Sequence, residues 1–187
     1  MLDKIINETT KAIVAAVKGT DDIVSALRGA VKNQITGAFK DVSEVGVVGM
    51  DSVANIVKGG VKSTSEVGIS VVDGARASVH AAITGVSDVG GDITLAAKRA
   101  AKAAVTMAAE LGKDVGAVAV SSVEGALKAA ETVGVGTTQV VSSSVVGAVK
   151  AADAIGTEAG AAVRKALLSA SSLPKDVVEK AISGSRK

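Results

Sequence analysis

The segment KAAVTMAAELG (residues 102–112) ends on a glycine, and similar eleven-residue segments end on a glycine every 22 residues. The glycines at this spacing are Gly46, Gly68, Gly90, Gly112, Gly134 and Gly156. The other matching segments are TGAFKDVSEVG (36–46), KGGVKSTSEVG (58–68), HAAITGVSDVG (80–90), EGALKAAETVG (124–134) and VGAVKAADAIG (146–156). A repeat of this length is typical of modular architectures in which each unit contacts its neighbours.

The 22-residue unit consists of two elevens, and eleven residues make three α-helical turns. Within each eleven, the third, fourth, seventh, tenth and eleventh places are mostly Val, Ile, Leu, Ala or Gly, whereas the first, fifth, eighth and ninth are mostly polar. On a helix the apolar places fall within an arc of about 120°. The pattern predicts an all-α protein of long amphipathic hendecad-repeat helices, as an extended rod or a bundle that self-associates. It leaves open whether the helix is one rod or folds back at its glycines.

A β-solenoid with one coil per 22 residues is the competing structural interpretation. Stretches such as TTQVVSSSVV (137–146) and VGISVVDG (67–74) are rich in the β-branched residues that strands favour. Strict alternation of apolar and polar residues does not persist, however, and LAAKRAAKAAVTMAAEL (95–111) consists of strong helix formers. Helices are therefore the prediction.

Residues that typically start or stop helices divide the chain into three segments. Thr20, Asp21 and Asp22 follow a glycine and predict a helix start, so residues 1–19 are expected to hold an opening helix at about 3–18. Residues 20–170 form the repeat region. Residues 171–187 are expected to form a short capping helix and tail, with Ser171 or Ser172 as its cap and Pro174 in its first turn.

Composition argues against chemistry and against nucleic acid. Lys and Arg number 21 against 19 Asp and Glu, with a net charge of +2 and no basic face. The chain has no Cys, Trp or Tyr, and its one histidine, His80, has no partners at metal-ligand spacing. Gly59-Gly60-Val61-Lys62-Ser63-Thr64 lacks the Gly-Lys-Ser/Thr order of a phosphate-binding loop. We expect a non-enzyme without metal or cofactor, with His80 at the surface or the stripe edge.

The polar face of the predicted helix carries charged pairs four residues apart. Lys18 with Asp22, Lys40 with Glu44, and Lys62 with Glu66 are expected to pair along it. The flanks of this face, at the second and sixth places, favour small residues such as Gly59, Gly125, Gly147, Ala129 and Ala151. Small flanks predict that neighbouring helices approach closely.

No apolar run is long enough to span a membrane, and charged residues interrupt the N-terminus where a signal peptide would be apolar. The expected location is the cytoplasm.

An apolar stripe of this length must be covered, because helix stability comes mainly from packing of that face. The predicted self-association stripe pairs each repeating glycine with the residue before it: Val45, Gly46, Val67, Gly68, Val89, Gly90, Leu111, Gly112, Val133, Gly134, Ile155 and Gly156. We expect a structural protein whose partner is itself, in a helical bundle, sheath or filament.

Stretches such as VGAVKAADAIG (146–156) and EGALKAAETVG (124–134) resemble the eleven-residue amphipathic repeats of synucleins, perilipins and apolipoproteins, a likeness that covers most of residues 14–168. Proteins of those families coat membranes or lipid droplets as long helices. The resemblance implies the alternative function of a coat on a membrane, lipid droplet or other hydrophobic granule.

Overall fold

The computed structural model describes residues 2–18, 22–40 and 47–185, and within these it is all-helical. Its helices are α1 (Leu2–Val17), α2 (Ile23–Lys40), α3 (Val47–Val67), α4 (Val71–Asp88), α5 (Ile93–Glu110), α6 (Val115–Val133), α7 (Thr137–Ile155), α8 (Thr157–Ser169) and α9 (Lys175–Gly184). The all-α prediction is confirmed. The β-solenoid alternative is wrong, because residues 137–146 lie within α7 and residues 67–74 join α3 to α4.

The helices stack in two layers. Each helix contacts the next one along the chain and also the next but one, so that α1, α3, α5, α7 and α9 follow one another in one layer and α2, α4, α6 and α8 in the other. We call these the odd layer and the even layer. Among the described helices, the chain therefore folds back at every unit boundary between α3 and α8. Two units, or 44 residues, return the chain to the same layer, as in a helical solenoid.

The repeating glycine is the point at which each helix from α3 to α7 stops. Gly68, Gly90, Gly112 and Gly134 have φ values of 80°, 72°, 64° and 78°, the left-handed conformation that glycine adopts without a steric cost. The amide of the residue after each glycine donates back to a carbonyl of the last helical turn, as Lys113 does to Ala108 at 2.8 Å. This is the hydrogen bond of a Schellman-type helix end.

A start signal follows the stop signal two residues later. Ser70, Asp92 and Asp114 are the N-caps of α4, α5 and α6, and each side chain accepts a hydrogen bond from a backbone amide of the first turn. Asp22 does the same for α2, where it accepts from the Ser25 amide at 3.0 Å. One 22-residue unit is thus one helix plus one short turn that closes it and opens the next.

Burial compensates for the weak helix propensity of this sequence. In α4 every residue from Ala77 to Val86 is buried, and in the core valine and alanine predominate over larger side chains. Several buried hydroxyls bond inside their own helices: Ser63 donates to the Gly60 carbonyl at 2.8 Å and Ser144 to that of Val141 at 2.8 Å. The buried hydroxyls of Ser78 and Ser122 have no partner among the described residues. Valine- and serine-rich stretches can stay helical because neighbouring helices cover them and hydroxyls such as those of Ser63 and Ser144 need no partner from another helix.

The two terminal helices lie where the sequence predicts them, but the cap of the last one differs. Helix α9 begins at Lys175, and Pro174 is its N-cap, with no side-chain hydrogen bond to the first turn. The Ser172 hydroxyl instead donates to Glu124 Oε1 at 2.5 Å. The predicted serine cap is therefore wrong, because this hydroxyl is used to hold the tail against α6. Thr20 and Asp21, part of the predicted start of the repeats, lie outside the described residues.

Candidate functional site

The predicted stripe residues lie at helix ends, where they do not form one continuous face. Val67, Val89, Leu111 and Val133 are half-buried and pack against the core, while Ile155 is exposed. No atom of the described residues lies within 4 Å of where a Cβ would stand on Gly68, Gly90, Gly112, Gly134 or Gly156. These glycines therefore lie in turns rather than at helix crossings within the chain, and the self-association predicted for the stripe stays a prediction. Val45 and Gly46 lie outside the described residues.

The close helix approaches occur instead at the small flank residues. A Cβ on Gly125 would overlap the Arg76 carbonyl oxygen, and one on Gly147 would overlap that of Lys98. A Cβ on Gly59 would lie 2.8 Å from the Thr9 methyl carbon. Each glycine faces the helix two before its own, about one 44-residue step back, so these positions form a seam within each layer. The prediction that small flanks permit close approach is confirmed for these glycines.

Charged side chains bridge successive helices of a layer. Lys32 pairs with Asp88 at 2.8 Å, Lys58 with Glu110 at 3.0 Å, Arg76 with Glu124 at 2.7 Å, and Arg99 with Asp51 at 3.2 Å. Each pair is partly exposed, so it adds little stability. The pairs nevertheless show the register in which successive helices of a layer stack.

The predicted pairs along one helix are not the arrangement observed. Lys62 donates to Asn7 Oδ1 on α1 at 2.7 Å. Asp22 caps α2, whereas Lys18 follows the last residue of α1. The predictions assumed an uninterrupted helix, whereas Lys18 and Asp22 lie at the ends of different helices and Lys62 reaches a neighbouring helix. Glu44, the predicted partner of Lys40, lies outside the described residues.

A groove of about 510 Å³ crosses the even layer where α4 lies between α2 and α6. We call it the basic groove. Its α2 side is Ser25, Arg28, Gly29 and Lys32, its α4 side His80, Thr84, Ser87 and Asp88, and its α6 side Thr132 and Val133.

The sequence explains why the groove opens at α4. Lys18, Lys40, Lys62, Lys128 and Lys150 share one place in the repeat, and α4 carries the short Thr84 there. In α6, one step along the same layer, Lys128 takes that place. Also in α6, Glu124 occupies the repeat place that His80 has in α4, and Arg76 and Ser172 bind its carboxylate. The short Thr84 side chain thus leaves space beside α4. At α6 the corresponding space is occupied by Lys128 and by the ion-paired Glu124.

His80 is buried in this groove, with only 9% of its surface exposed, which corrects the prediction of a surface or stripe-edge residue. Its Nε2 lies 3.4 Å from Thr132 Oγ1, and the Thr132 hydroxyl already donates to the Lys128 carbonyl at 2.8 Å. Nε2 is therefore assigned as the protonated nitrogen. The buried Nδ1 has no hydrogen-bond partner among the described residues.

The surroundings keep His80 neutral at pH 7. Burial, together with the positive charges of Arg28, Lys32 and Lys128, lowers its pKa to about 4. Because the histidine of the unfolded chain protonates near pH 6.5, stability from this residue is present above that pH and is lost as the pH falls toward 4. These three cations contribute a positive potential at the groove floor, where Asp88 is the acidic lining residue.

Other chemistry finds little support among the described residues. No group of three or more His, Asp or Glu side chains there is placed to hold a metal ion. Gly59 to Thr64 lie within α3, so this segment is helix rather than a phosphate-binding loop. No described helix combines the length and apolar character needed to cross a membrane.

Comparison of the chain with protein-family models gave no match, and comparison with curated proteins gave none either.

Proposed function

We propose that the protein is a non-catalytic structural protein that assembles with itself, copy upon copy, through the two ends of its helical stack. The stripe glycines that the structure describes lie in turns, so we place the contact elsewhere. The observation that carries the proposal concerns the seam positions. Inside the stack another helix packs against them, whereas at the N-terminal end of the stack no described helix does.

The N-terminal end offers small, uncovered residues at the seam register. Gly37 lies one unit before Gly59, yet no atom of the described residues comes within 4 Å of a Cβ placed on it. Ala15, one unit earlier again, is exposed, as are Ala12 and Ala16 beside it. In α3, α6 and α7 the same register position packs against another helix. The end of the stack therefore presents a surface of the shape that a further helix of this repeat occupies.

The C-terminal end offers a comparable surface on α8. Ala161 and Ala162 are exposed, and Leu168 is 42% exposed. Continued alternation of the layers would place α1 of a second copy on α8, and α2 of that copy on α9. Ala15 would then face a helix with small residues, as Gly147 does inside the chain. A head-to-tail contact between two different surfaces does not close on itself unless the rotation forms a ring, so it generates filaments.

Single charges at the two ends should block growth. Ala15→Glu and Ala161→Arg are each expected to abolish large assemblies in sedimentation velocity, because each places a charge in an otherwise apolar contact. Ala154→Glu is the matched control, since Ala154 is exposed on α7, which is not one of the helices that would meet a second copy. This control should assemble like the unmodified chain.

Mixing the two blocked variants tests whether the contact between copies is head to tail. Each retains one competent end, so the head-to-tail model predicts that a mixture of Ala15→Glu and Ala161→Arg stops at dimers. Assembly that survives both substitutions would refute the end-to-end contact. A chain that stays monomeric but floats with anionic vesicles would favour the coat alternative.

A further inference from the structure

The geometry points to a second, independent activity: the basic groove is a binding site for a phosphate group, either free or carried by a small phosphomonoester. The inference rests on the unused donors, the charge and the size of the groove, and it does not depend on self-assembly.

Two donors at the groove lack partners among the described residues. The Arg28 guanidinium forms no ion pair there, and the Ser87 hydroxyl makes no side-chain hydrogen bond. The Ser25 hydroxyl is already used by the Asp22 carboxylate, and the Thr84 and Thr132 hydroxyls donate to backbone carbonyls of their own helices. Arg28 can thus offer its planar fork to an oxyanion, with the Ser87 hydroxyl on the α4 side.

Charge favours an anion at this place. Lys32 lies one helical turn after Arg28 on the same helix, and its ammonium is 2.8 Å from Asp88. Lys128 approaches from α6, where it pairs with Glu131 at 3.2 Å. Arg28, Lys32 and Lys128 each lower the pKa of His80, so the three cations act together at the ring, while Arg28 also interacts with the Asp22 carboxylate at the start of α2. A dianionic phosphate gains more from such a field than a carboxylate does.

The size of the groove selects the ligand class. Its volume of about 510 Å³ falls in the range of small-molecule sites, about 300–1,000 Å³. It is roughly fifteen times the share of liquid volume that one water molecule occupies. A phosphate at Arg28 would therefore leave space for an attached organic group over the floor formed by His80 and Thr84.

His80 supplies a direct readout, because it is the only histidine in the chain. The C2 proton of its ring can be followed by NMR in the full-length protein at pH 7 while sodium phosphate, glycerol phosphate or sodium chloride is added at constant ionic strength. We expect a saturable shift with the phosphates and none with chloride. Saturation by inorganic phosphate alone would assign the site to the free ion, and saturation by both would assign it to the phosphate group they share.

Two variants test the residues. Arg28→Gln should weaken phosphate binding at least about tenfold, the loss expected for one charge-assisted contact, while Arg28→Lys should retain part of it. Lys102→Gln, at the exposed position one repeat after His80, is the control and should bind normally. Bound phosphate should also raise the pKa of His80 from about 4, because an anion favours the protonated ring against Arg28, Lys32 and Lys128. A shift that is equal with chloride, or that stays saturable in a folded Arg28→Gln variant, would overturn the assignment.

Discussion

Replacing Gly147 by alanine is expected to lower the free energy of unfolding by about 2 kcal/mol or more, although alanine is the better helix former. The added methyl group would overlap the Lys98 carbonyl oxygen and lie 3.0 Å from its carbonyl carbon. Backbone atoms of a buried helix cannot rotate away as a side chain can, so α7 would have to separate from α5. Urea denaturation followed by circular dichroism measures the change.

Gly29→Ala is the matched control for that experiment. Gly29 also lies within a helix, but no atom of the described residues comes within 4 Å of a Cβ placed there. This substitution should raise stability by about 0.5–1 kcal/mol through helix propensity alone. Equal effects of the two substitutions would mean that Gly147 has no contact with α5.

Val61→Asp is expected to have the larger effect, about 3–5 kcal/mol of destabilisation, because it would bury an unpaired carboxylate. Val61 is fully buried in α3. Val67→Asp should cost only about 1 kcal/mol, because Val67 is half-buried at the helix end, where a carboxylate can reach water but meets the negative end of the helix dipole.

The pH dependence of Val61→Asp provides a further check. Burial raises the pKa of a carboxyl group, so the destabilisation should shrink as the pH falls from the raised folded pKa toward the unfolded value near 4, below which both states are neutral. Guanidinium titrations at two pH values measure it. A greater loss of stability from Val67→Asp than from Val61→Asp would mean that the predicted stripe is buried more deeply than the Val61 face of α3.

The helical class, the 22-residue unit and the seam at Gly59, Gly125 and Gly147 could be predicted from the sequence, because apolar spacing and residue size record which face is covered. The role of the repeating glycine could not be fixed by spacing. A glycine at a helix crossing and a glycine at a helix end would both recur once per repeat. The eleven-residue pattern of apolar places also continues in the same phase through the turns, so it does not mark where a helix ends. The serine or aspartate two residues after Gly68, Gly90 and Gly112 was the signal for a turn.

The basic groove was the part of the molecule that sequence reasoning missed. His80 and Arg28 are 52 residues apart, and only the return of the chain after one 44-residue step brings their helices together. One sequence signal pointed there. Thr84, with Thr106 one unit later, interrupts the column of lysines at Lys40, Lys62 and Lys128, and a short side chain in a column of long ones marks a place where the surface can open.

The distance between residues 102 and 150 tests the two-layer stack most directly. Both lysines are exposed, on α5 and α7, and their separation of 48 residues matches the register of the Arg76–Glu124 and Asp51–Arg99 pairs. The chain has no cysteine, so Lys102→Cys and Lys150→Cys accept spin labels at these two sites alone, and unlabelled chain added in excess removes distances between copies. Stacked helices have axes about 10 Å apart, so pulsed electron paramagnetic resonance should give a short, narrow distance distribution. A distance near the roughly 70 Å that 48 residues span in one continuous helix would contradict the stack.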